Sequence, residues 1–375
     1  MKIKPKLRFP EFDGEWEEKQ LSAILEIGTG KSKVQSNESG KYNILGSTGI
    51  IGKSHTYDYE GDFILTARVG HYAGKLYKHA GKVNISDNTI YLFNFINKNF
   101  IYESLNAFKL EKLVFGSGQP LIKASDLKKL KIRVPVSKEQ KKIGGFFSKL
   151  DRQIELEEQK LEKLEEQKKG YMQKIFSQEL RFKDDNGNSY PDWSIKKIED
   201  ISKVNKGFTP NTKNDEYWDE LNENWLSIAG MTQKYLYKGN KGITEKGASK
   251  HVKVDKDTLI MSFKLTLGKL AIVKEPIYTN EAICHFVWKE SNVNTEYMYY
   301  YLNSINISTF GAQAVKGVTL NNDSINSIIV KLPVIQEQNK IAYFFNELDK
   351  LIRKQYAKIE LLKQRKNGLL QKMFV

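Results

Sequence analysis

Apolar residues fall four and three apart along two long stretches of the chain, and cluster in short β-rich runs between them. The first long series is Ile143, Phe147, Leu150, Ile154, Leu161, Leu164, Tyr171 and Ile175, and the second is Ile341, Phe345, Leu348, Ile352, Ile359, Leu362, Leu369 and Met373. That spacing is the stripe of a helix and, sustained over several heptads, a pairing seam. Each series follows a proline, Pro135 or Pro333, that stops an extended run. Polar residues interrupt the seam at matching places, Glu157 and Lys168 in one series and Gln355 and Lys366 in the other. A polar seam residue fixes register at some cost in stability. A helix of about 40 residues spans roughly 60 Å and needs a partner along its length. The pattern predicts that the two helices pair within one molecule, antiparallel.

The two stretches are copies. Pro135 to Phe176 and Pro333 to Phe374 match at 19 of 42 positions without a gap, at a constant offset of 198. So many ungapped matches argue for duplication. The duplication extends upstream: Leu7-Arg8-Phe9 recurs as Leu180-Arg181-Phe182, and Trp16, Leu21 and Gly30 line up with Trp193, Ile198 and Gly207. The intervening bodies differ by 21 residues, 105 from Gly30 to Pro135 against 126 from Gly207 to Pro333, so divergence is concentrated where a ligand would be read. In the bodies GDFILTARVG, NTIYLFNFI, KDTLIMSF, KLAIV and CHFVW read as strands, KLKIRVP and SIIVKLP as strands ended by proline, and NKNFIYESLNAF and NTEYMYYYLNSI as short helices. The chain therefore divides into an α/β body over 1–136, a long helix over 137–180, a second α/β body over 181–334 and a second long helix over 335–375. DDNGNSYPD, at 184–192, marks the join between halves.

Composition narrows the class. The chain has 375 residues, room for two or three domains with proper cores, and no apolar run near the ~18 residues of a membrane span. One cysteine, Cys284, excludes an internal disulfide framework, and the start MKIKPKLRFP lacks the apolar core of a signal peptide. Together these predict a reducing cytoplasm. Net charge is +15, unevenly spread: 184–223 hold 5 basic and 10 acidic residues, whereas 231–274 hold 10 and 3. A polarity of that sort makes a basic face suited to phosphates.

Catalytic motifs are missing where they would be sought. GSTGIIGKS, from Gly46 to Ser54, places five residues between its outer glycines where a phosphate-binding P-loop needs four, and Gly30-Lys31-Ser32 has Leu25 where the first glycine belongs. Both read as turns that bring backbone N–H groups and a lysine close to something. His55, His71, His79, His251 and His285 never come at metal-ligand spacing and read as surface or loop residues. The sequence has no G-x-G-x-x-G opening a βα unit and no Asn-Pro-Pro-aromatic tetrad of an amino-methyltransferase. What remains is a set of loops mixing basic, amide, hydroxyl and aromatic side chains with glycine. They carry Lys31, Lys33, Lys53, Arg68, His71, Tyr72, Lys75, Gln119 and Lys123 in the first body. In the second they carry Lys206, Lys213, Gln233, Lys234, Lys264, Thr266, Lys269, Gln313, Lys316 and Asn321. Lysine and arginine neutralise phosphates, and arginine, asparagine and glutamine can present paired hydrogen bonds to base edges, so these are the candidate DNA contacts. Phe115-Gly116 with Gln119 and Phe310-Gly311 with Gln313 recur between bodies.

The whole chain resembles the specificity subunit of a type I restriction-modification system. The residues carrying the resemblance are the Leu-Arg-Phe openings with their tryptophans, Gly207-Phe208-Thr209-Pro210, Glu139-Gln140 and Glu337-Gln338, Phe146-Phe147 and Phe344-Phe345, and the Leu-Asp pairs at 150–151 and 348–349. The first half departs from this with Gly30-Lys31-Ser32. The resemblance implies two target-recognition domains separated by two long helices, an intramolecular antiparallel coiled coil in a pseudo-twofold repeat. It implies a non-catalytic chain that reads a bipartite, asymmetric duplex DNA target, one half per domain. It further implies two methyltransferase subunits using S-adenosylmethionine, and restriction subunits using ATP and Mg; no cofactor is expected in this chain. A two-domain scaffold binding two proteins is the alternative from another class, and a stand-alone DNA-modifying enzyme a third. Salt separates the first two, since phosphate contacts make log affinity fall steeply with log salt.

Overall fold

In the chain's computed structural model, which describes residues 4–116, 120–249, 251–264, 266–314 and 317–374, both proline-ended runs lead into helices of 40 and 39 residues. The elements before the first are β1 (Glu17–Gln20), β2 (Glu26–Thr29), β3 (Tyr42–Gly46), β4 (Gly49–Ser54), β5 (Tyr59–Ala67), β6 (Leu76–Ile85), β7 (Thr89–Phe93), α1 (Lys98–Phe108), α2 (Ala124–Lys129) and β8 (Lys131–Val134), followed by α3 (Ser137–Phe176). Then come β9 (Ser194–Lys197), α4 (Ile198–Ile201), β10 (Ser202–Lys206), β11 (Trp225–Leu226), β12 (Tyr235–Leu236), α5 (Glu245–Ala248), β13 (Leu259–Ser262), β14 (Leu270–Val273), β15 (Tyr278–Thr279) and β16 (Ile283–Trp288). Last are α6 (Thr295–Ser304), β17 (Ala312–Ala314), β18 (Gly317–Thr319), α7 (Asn322–Asn326), β19 (Ile329–Leu332) and α8 (Ile335–Met373). Two compact units result, Met1–Lys160 with Gln355–Val375, and Leu161–Lys354, so each unit takes part of each long helix.

The first unit is built on a six-stranded sheet of order β2-β7-β5-β6-β3-β4, antiparallel except where β3 meets β6. A separate antiparallel pair, β1 with β8, ties the opening segment to the proline-ended strand. Both strands deliver their chain to the start of α3, where a carboxylate without accessible surface gathers three donors. Arg8 donates from Nε to Glu139 Oε1 and from Nη2 to Glu139 Oε2, both at 2.7 Å, and Trp16 Nε1 donates to Oε1 at 3.4 Å. A fork-to-fork arginine pair is among the strongest arrangements for a carboxylate taken out of water. The first turn of a helix favours the negative charge further. The side chain of Gln140 closes the corner by donating to Pro135 O at 2.9 Å.

Beneath this corner, Ile143 and Phe147 of α3 meet Leu370, Met373 and Phe374 at the end of α8. Phe374 lies against Trp16, Phe100 and Phe147 with ring centroids 5.5 to 6.2 Å apart. Full burial of one such side chain is worth roughly 1.5–3 kcal/mol. Further along, Lys366 pairs with Asp151 at 2.6 Å and Gln355 donates to Glu157 Oε2 at 2.7 Å, so positions rise on one helix as they fall on the other. Lys366 also reaches Glu103 of α1 at 3.2 Å. Burial pushes the Glu103 carboxyl well above its usual range, against the pull of Lys366.

The second unit repeats the corner with its own residues. Arg181 donates to Glu337 Oε1 at 3.2 Å and Oε2 at 2.8 Å, Trp193 Nε1 to Oε2 at 3.0 Å, and Gln338 to Pro333 O at 2.8 Å. Its five-stranded sheet runs β10-β16-β13-β14-β12, with β9 and β19 paired apart. Ile175 and Phe176 of α3 meet Ile341 and Phe345 of α8, Phe176 stacking on Phe345 at 5.8 Å. Lys168 pairs with Asp349 at 2.6 Å, the 198-residue counterpart of Asp151 with Lys366. Here Tyr300 stands where α1 has Glu103, donating to Asp349 Oδ2 at 2.6 Å.

Two expectations need correction. Tyr171 is exposed and Met172 takes the inner position, and near the end of α8 Leu370 is buried while Leu369 is only partly so. A helix of 3.6 residues per turn drifts against a strict heptad, so the inner stripe moves one residue on. His285 is neither surface nor loop but a buried residue of β16 beside Thr279, and burial pushes it down to about 4; His79 lies half-buried in β6. The stretch 184–192 is an ordered turn in which Asp184 accepts from the backbone N–H of Asn186 and Asn188.

Two tests follow from these interiors. Arg8→Ala leaves Glu139 buried and unpaired and should cost about 3 kcal/mol or more in urea unfolding, where removing one partner of a buried pair typically costs that much. An unchanged midpoint would remove the corner from the stability of the first unit. His285 is depressed in the fold, so the unfolded chain takes up the proton first. Its contribution is complete above pH 6.5 and lost as pH falls toward about 4. Over that window the parent should lose up to about 3 kcal/mol more than His285→Gln.

Candidate nucleic-acid interface

In the first unit the basic and aromatic loops are drawn together by the backbone. After Thr29 the chain leaves β2 and crosses the start of β7: Gly30 N–H donates to Thr89 O at 2.9 Å and Ser32 N–H to Ile85 O at 3.0 Å. A Cβ on Gly30 would sit 2.3 Å from the carbonyl oxygens of Ile85 and Ser86, so this crossing needs glycine. It carries Lys31 and Lys33, both exposed. The loop after β5 folds against the segment before α2, with Gly70 N–H donating to Pro120 O at 2.8 Å and Ile122 N–H to Arg68 O at 2.9 Å. Residues about 50 apart in sequence thereby form one surface. Arg68 is half-buried there, and His71, Tyr72, Lys75 and Lys123 are exposed. Lys75 Nζ lies 4.8 Å from the Tyr72 ring centroid and Lys123 Nζ 4.8 Å from that of Phe115. Exposed aromatic faces paired with ammonium groups suit bases and phosphates in close succession. Lys53 is exposed on β4.

The second unit uses the same crossing with different cargo. Gly207 N–H donates to Ile283 O at 3.1 Å, and a Cβ there would sit 2.0 Å from Thr279 O. Phe208 follows, stacked on His251 at 3.6 Å and edge-on to Tyr278, while its carbonyl accepts from Trp225 Nε1 at 2.9 Å. Lys206 and Lys264 both lie over Phe263, at 4.6 and 5.7 Å, on the hairpin from β13 to β14 that also carries exposed Thr266 and half-buried Lys269. Leu320 N–H donates to Phe263 O at 3.2 Å and brings Asn321 to this hairpin. Asn321 caps α7 through Ser324 N–H at 2.7 Å. Lys213 and Gln233 are exposed.

Lys234 is a correction. Its side chain is 7% exposed and its ammonium meets Glu296 at 2.5 Å, Tyr300 Oη at 2.8 Å and Asn346. Burial lowers its pKa, with the Glu296 hydrogen bond acting the other way. It joins the sheet to α6 and α8 and is withdrawn as a DNA contact. Gln119 and Lys316 lie outside the described residues, as does the side chain of Gln313. Loop composition missed a further aromatic and lysine cluster, Tyr42 and Tyr57 at 4.9 Å with Lys82 Nζ 4.6 Å from Tyr57, because its members are spread over 40 residues of β-rich sequence. Among the described residues no group of three or more His, Cys, Asp or Glu is placed to hold a metal, and no helix is long and apolar enough to cross a membrane.

Comparison with known proteins gives consistent results. A profile of the family described as type I restriction modification DNA specificity domain matches residues 13–166 and again 190–362. The type I restriction enzyme MjaIX specificity subunit of Methanocaldococcus jannaschii is 30% identical over 209 residues, 53% of this chain and about half, 48%, of that relative. The MjaVIII specificity subunit of the same organism is 24% identical over 334 residues, 80% of this chain and 76% of the relative. Among solved structures, the S subunit of a type I restriction-modification system from M. genitalium has a TM-score of 0.64 at 16% identity, covering 100% of this chain and 99% of that one. A chain from a structure concerned with complex assembly and conformational transition of the type I R-M system has a TM-score of 0.60 at 12% identity, covering 96% and 97%. At such identities the structural likeness speaks for the fold.

Lys234 and Lys264 should behave as opposites. Lys234→Met leaves Glu296 without its partner and should lower stability by about 3 kcal/mol while leaving the salt dependence of duplex DNA binding unchanged. Lys264→Ala should leave the unfolding midpoint in place and reduce the slope of log affinity against log salt by about one. The reverse pairing of results would mean that the surface has been drawn on the wrong side of the second unit.

Proposed function

Because the chain belongs to the type I restriction modification DNA specificity family, we propose that each unit reads one half of a bipartite, asymmetric duplex target through its own loops. In this reading the chain has no catalytic activity and works in the cytoplasm. It holds two methyltransferase subunits, which supply S-adenosylmethionine chemistry, and restriction subunits that use ATP and Mg. The observation that carries the reading is the pair of glycine crossings. Gly30 and Gly207 hold equivalent frame positions, yet one is followed by Lys31-Ser32-Lys33 and the other by Phe208-Thr209-Pro210. Equal frames with unequal loops suit two unlike half-sites.

The long helices serve, in the same proposal, as an antiparallel coiled coil that sets the distance between half-sites. Support comes from the helix contacts inside each unit, where Asp151 with Lys366 and Asp349 with Lys168 are carried onto each other by the repeat offset. A duplicated helix that pairs antiparallel with its copy makes every contact twice.

Exchange of residues 12–132 for the first body of another family member should change one half of the methylated motif in cells that also make the methyltransferase subunit, and leave the other half intact. A change in both halves would refute independent reading. Inserting one heptad after both Leu161 and Ile359 adds about 10 Å, or about three base pairs of gap, without altering the seam. The two half-sites should persist with a longer unread gap; a gap of unchanged length in an active protein would dismiss the helices as the ruler.

A further inference from the structure

The stretch from Gly46 to Ser54 fails as a phosphate-binding loop, and its structure gives it another use. It forms the hairpin of β3 and β4, with β4 at the edge of the six-stranded sheet. Pairing shifts between Ile44–Gly52 and Leu45–Ile50, so β4 carries one extra residue, Ile51. A bulge of this kind re-aims side chains. Here two successive isoleucines end up facing solvent, Ile50 at 59% and Ile51 at 55% exposure. Edge strands ordinarily carry charge or proline at such positions, since an exposed apolar edge invites association.

The hairpin is continuous with the basic surface. Asn88 O accepts from Arg68 N–H at 2.8 Å and from Ser47 Oγ at 3.4 Å, so the hairpin turn and the Arg68 loop share one acceptor. Ser86 N–H donates to Leu45 O at 2.9 Å and Tyr77 Oη to Gly46 O at 2.6 Å, which ties the turn end of β3 to β6 and to the turn that Gly30 crosses. Lys53 follows two residues after Ile51, and its carbonyl accepts from Asn37 N–H at 2.8 Å, beyond the loop bearing Lys31 and Lys33. The two isoleucines thus share a strand with Lys53 and a hairpin whose turn meets the Arg68 loop, a setting for an apolar group on a polyanion.

We propose that the β3–β4 hairpin enters the major groove and lays Ile50 and Ile51 against thymine methyl groups, making them specificity-determining residues of the first unit. The major groove admits a two-stranded ribbon, and the thymine C5-methyl is its apolar mark. The proposal rests on the DNA-reading function given above. It adds an apolar reading element to the polar contacts of the Arg68 surface.

The test uses the full chain and duplexes selected by it from a randomised pool. If the parent selects no sequence, the reading function itself fails. Given a selected duplex, Ile50→Ser with Ile51→Ser should bind it roughly tenfold more weakly, with affinity for random duplex and its salt slope unchanged. Replacing thymine by uracil, one position at a time, should weaken the parent about fourfold at one or more positions and leave the double variant unaffected there. Ile50→Val with Ile51→Val, which keeps apolar surface, should retain most of the binding and the uracil effect. Equal binding by parent and double variant would overturn the proposal, as would uracil effects of the same size in both. Loss of self-association in the double variant with unchanged DNA selection would also overturn it, and would assign the edge to a second copy of this chain.

Discussion

Two buried carboxylates, Glu139 and Glu337, organise this chain. Neither has accessible surface, and each sits in the first turn of a long helix. A carboxylate in that position cannot remain charged without compensation, so the surrounding chain must bring it donors. Arginine supplies a planar fork and tryptophan a single N–H, both from an opening segment more than 120 residues upstream. Satisfying one charge therefore fixes the opening segment, the proline-ended strand and the helix origin at one point. Every element of a body is then placed relative to the helix that leaves it.

This constraint separates what can vary from what cannot. Substitutions at the corner leave a buried charge unpaired, whereas beyond Gly30 the exposed Lys31 and Lys33 meet solvent, and beyond Gly207 Phe208 packs on His251 and Tyr278. The glycines themselves belong to the frame, because a Cβ would collide with backbone oxygens that cannot retreat without breaking strand pairing. Immediately after them the chain is Lys-Ser-Lys in one unit and Phe-Thr-Pro in the other, each meeting different neighbours. A second boundary lies on the inner side, where Glu103 of one unit is replaced by Tyr300 of the other against the same Asp and Lys pair. A buried acid and a buried phenol both give Asp and Lys a polar neighbour.

The long helices were legible because a stripe of period 3.6 over 40 residues, started by proline, has few other readings. The strands ending in Val134 and Leu332 were legible for the same proline, and the repeat exposed the Arg, Trp and Glu of the corner without saying that they touch. What escaped had no periodic signature. The β3–β4 hairpin reads as a glycine-rich turn because three of the five residues between Gly46 and Gly52 are small or hydroxylated and a bulge breaks its alternation. Lys234 was misread because a lysine in a loop-like stretch looks the same whether its stem turns outward or inward. Only the sheet beside α6 shows that it is sealed against Tyr300. His285 sits in a run of apolar strand residues, and its burial follows from that run more surely than its type suggests.

The makeup of the first unit has a consequence for the order in which the protein can be made. Leu370, Met373 and Phe374 complete the core under Trp16, yet they are translated after the whole of residues 161–354. At about 5–20 residues per second that interval is on the order of 10–40 s. Through it the nascent first unit has an open apolar face against Phe100 and Phe147, and once Lys354 is added the second unit possesses every residue it needs. Vectorial synthesis therefore reverses the usual sequence: the second unit can close first, and the first waits on Leu370, Met373 and Phe374 to fill it. A chain stopped at Lys354 would have the second unit whole and the first without the side chains that complete its core.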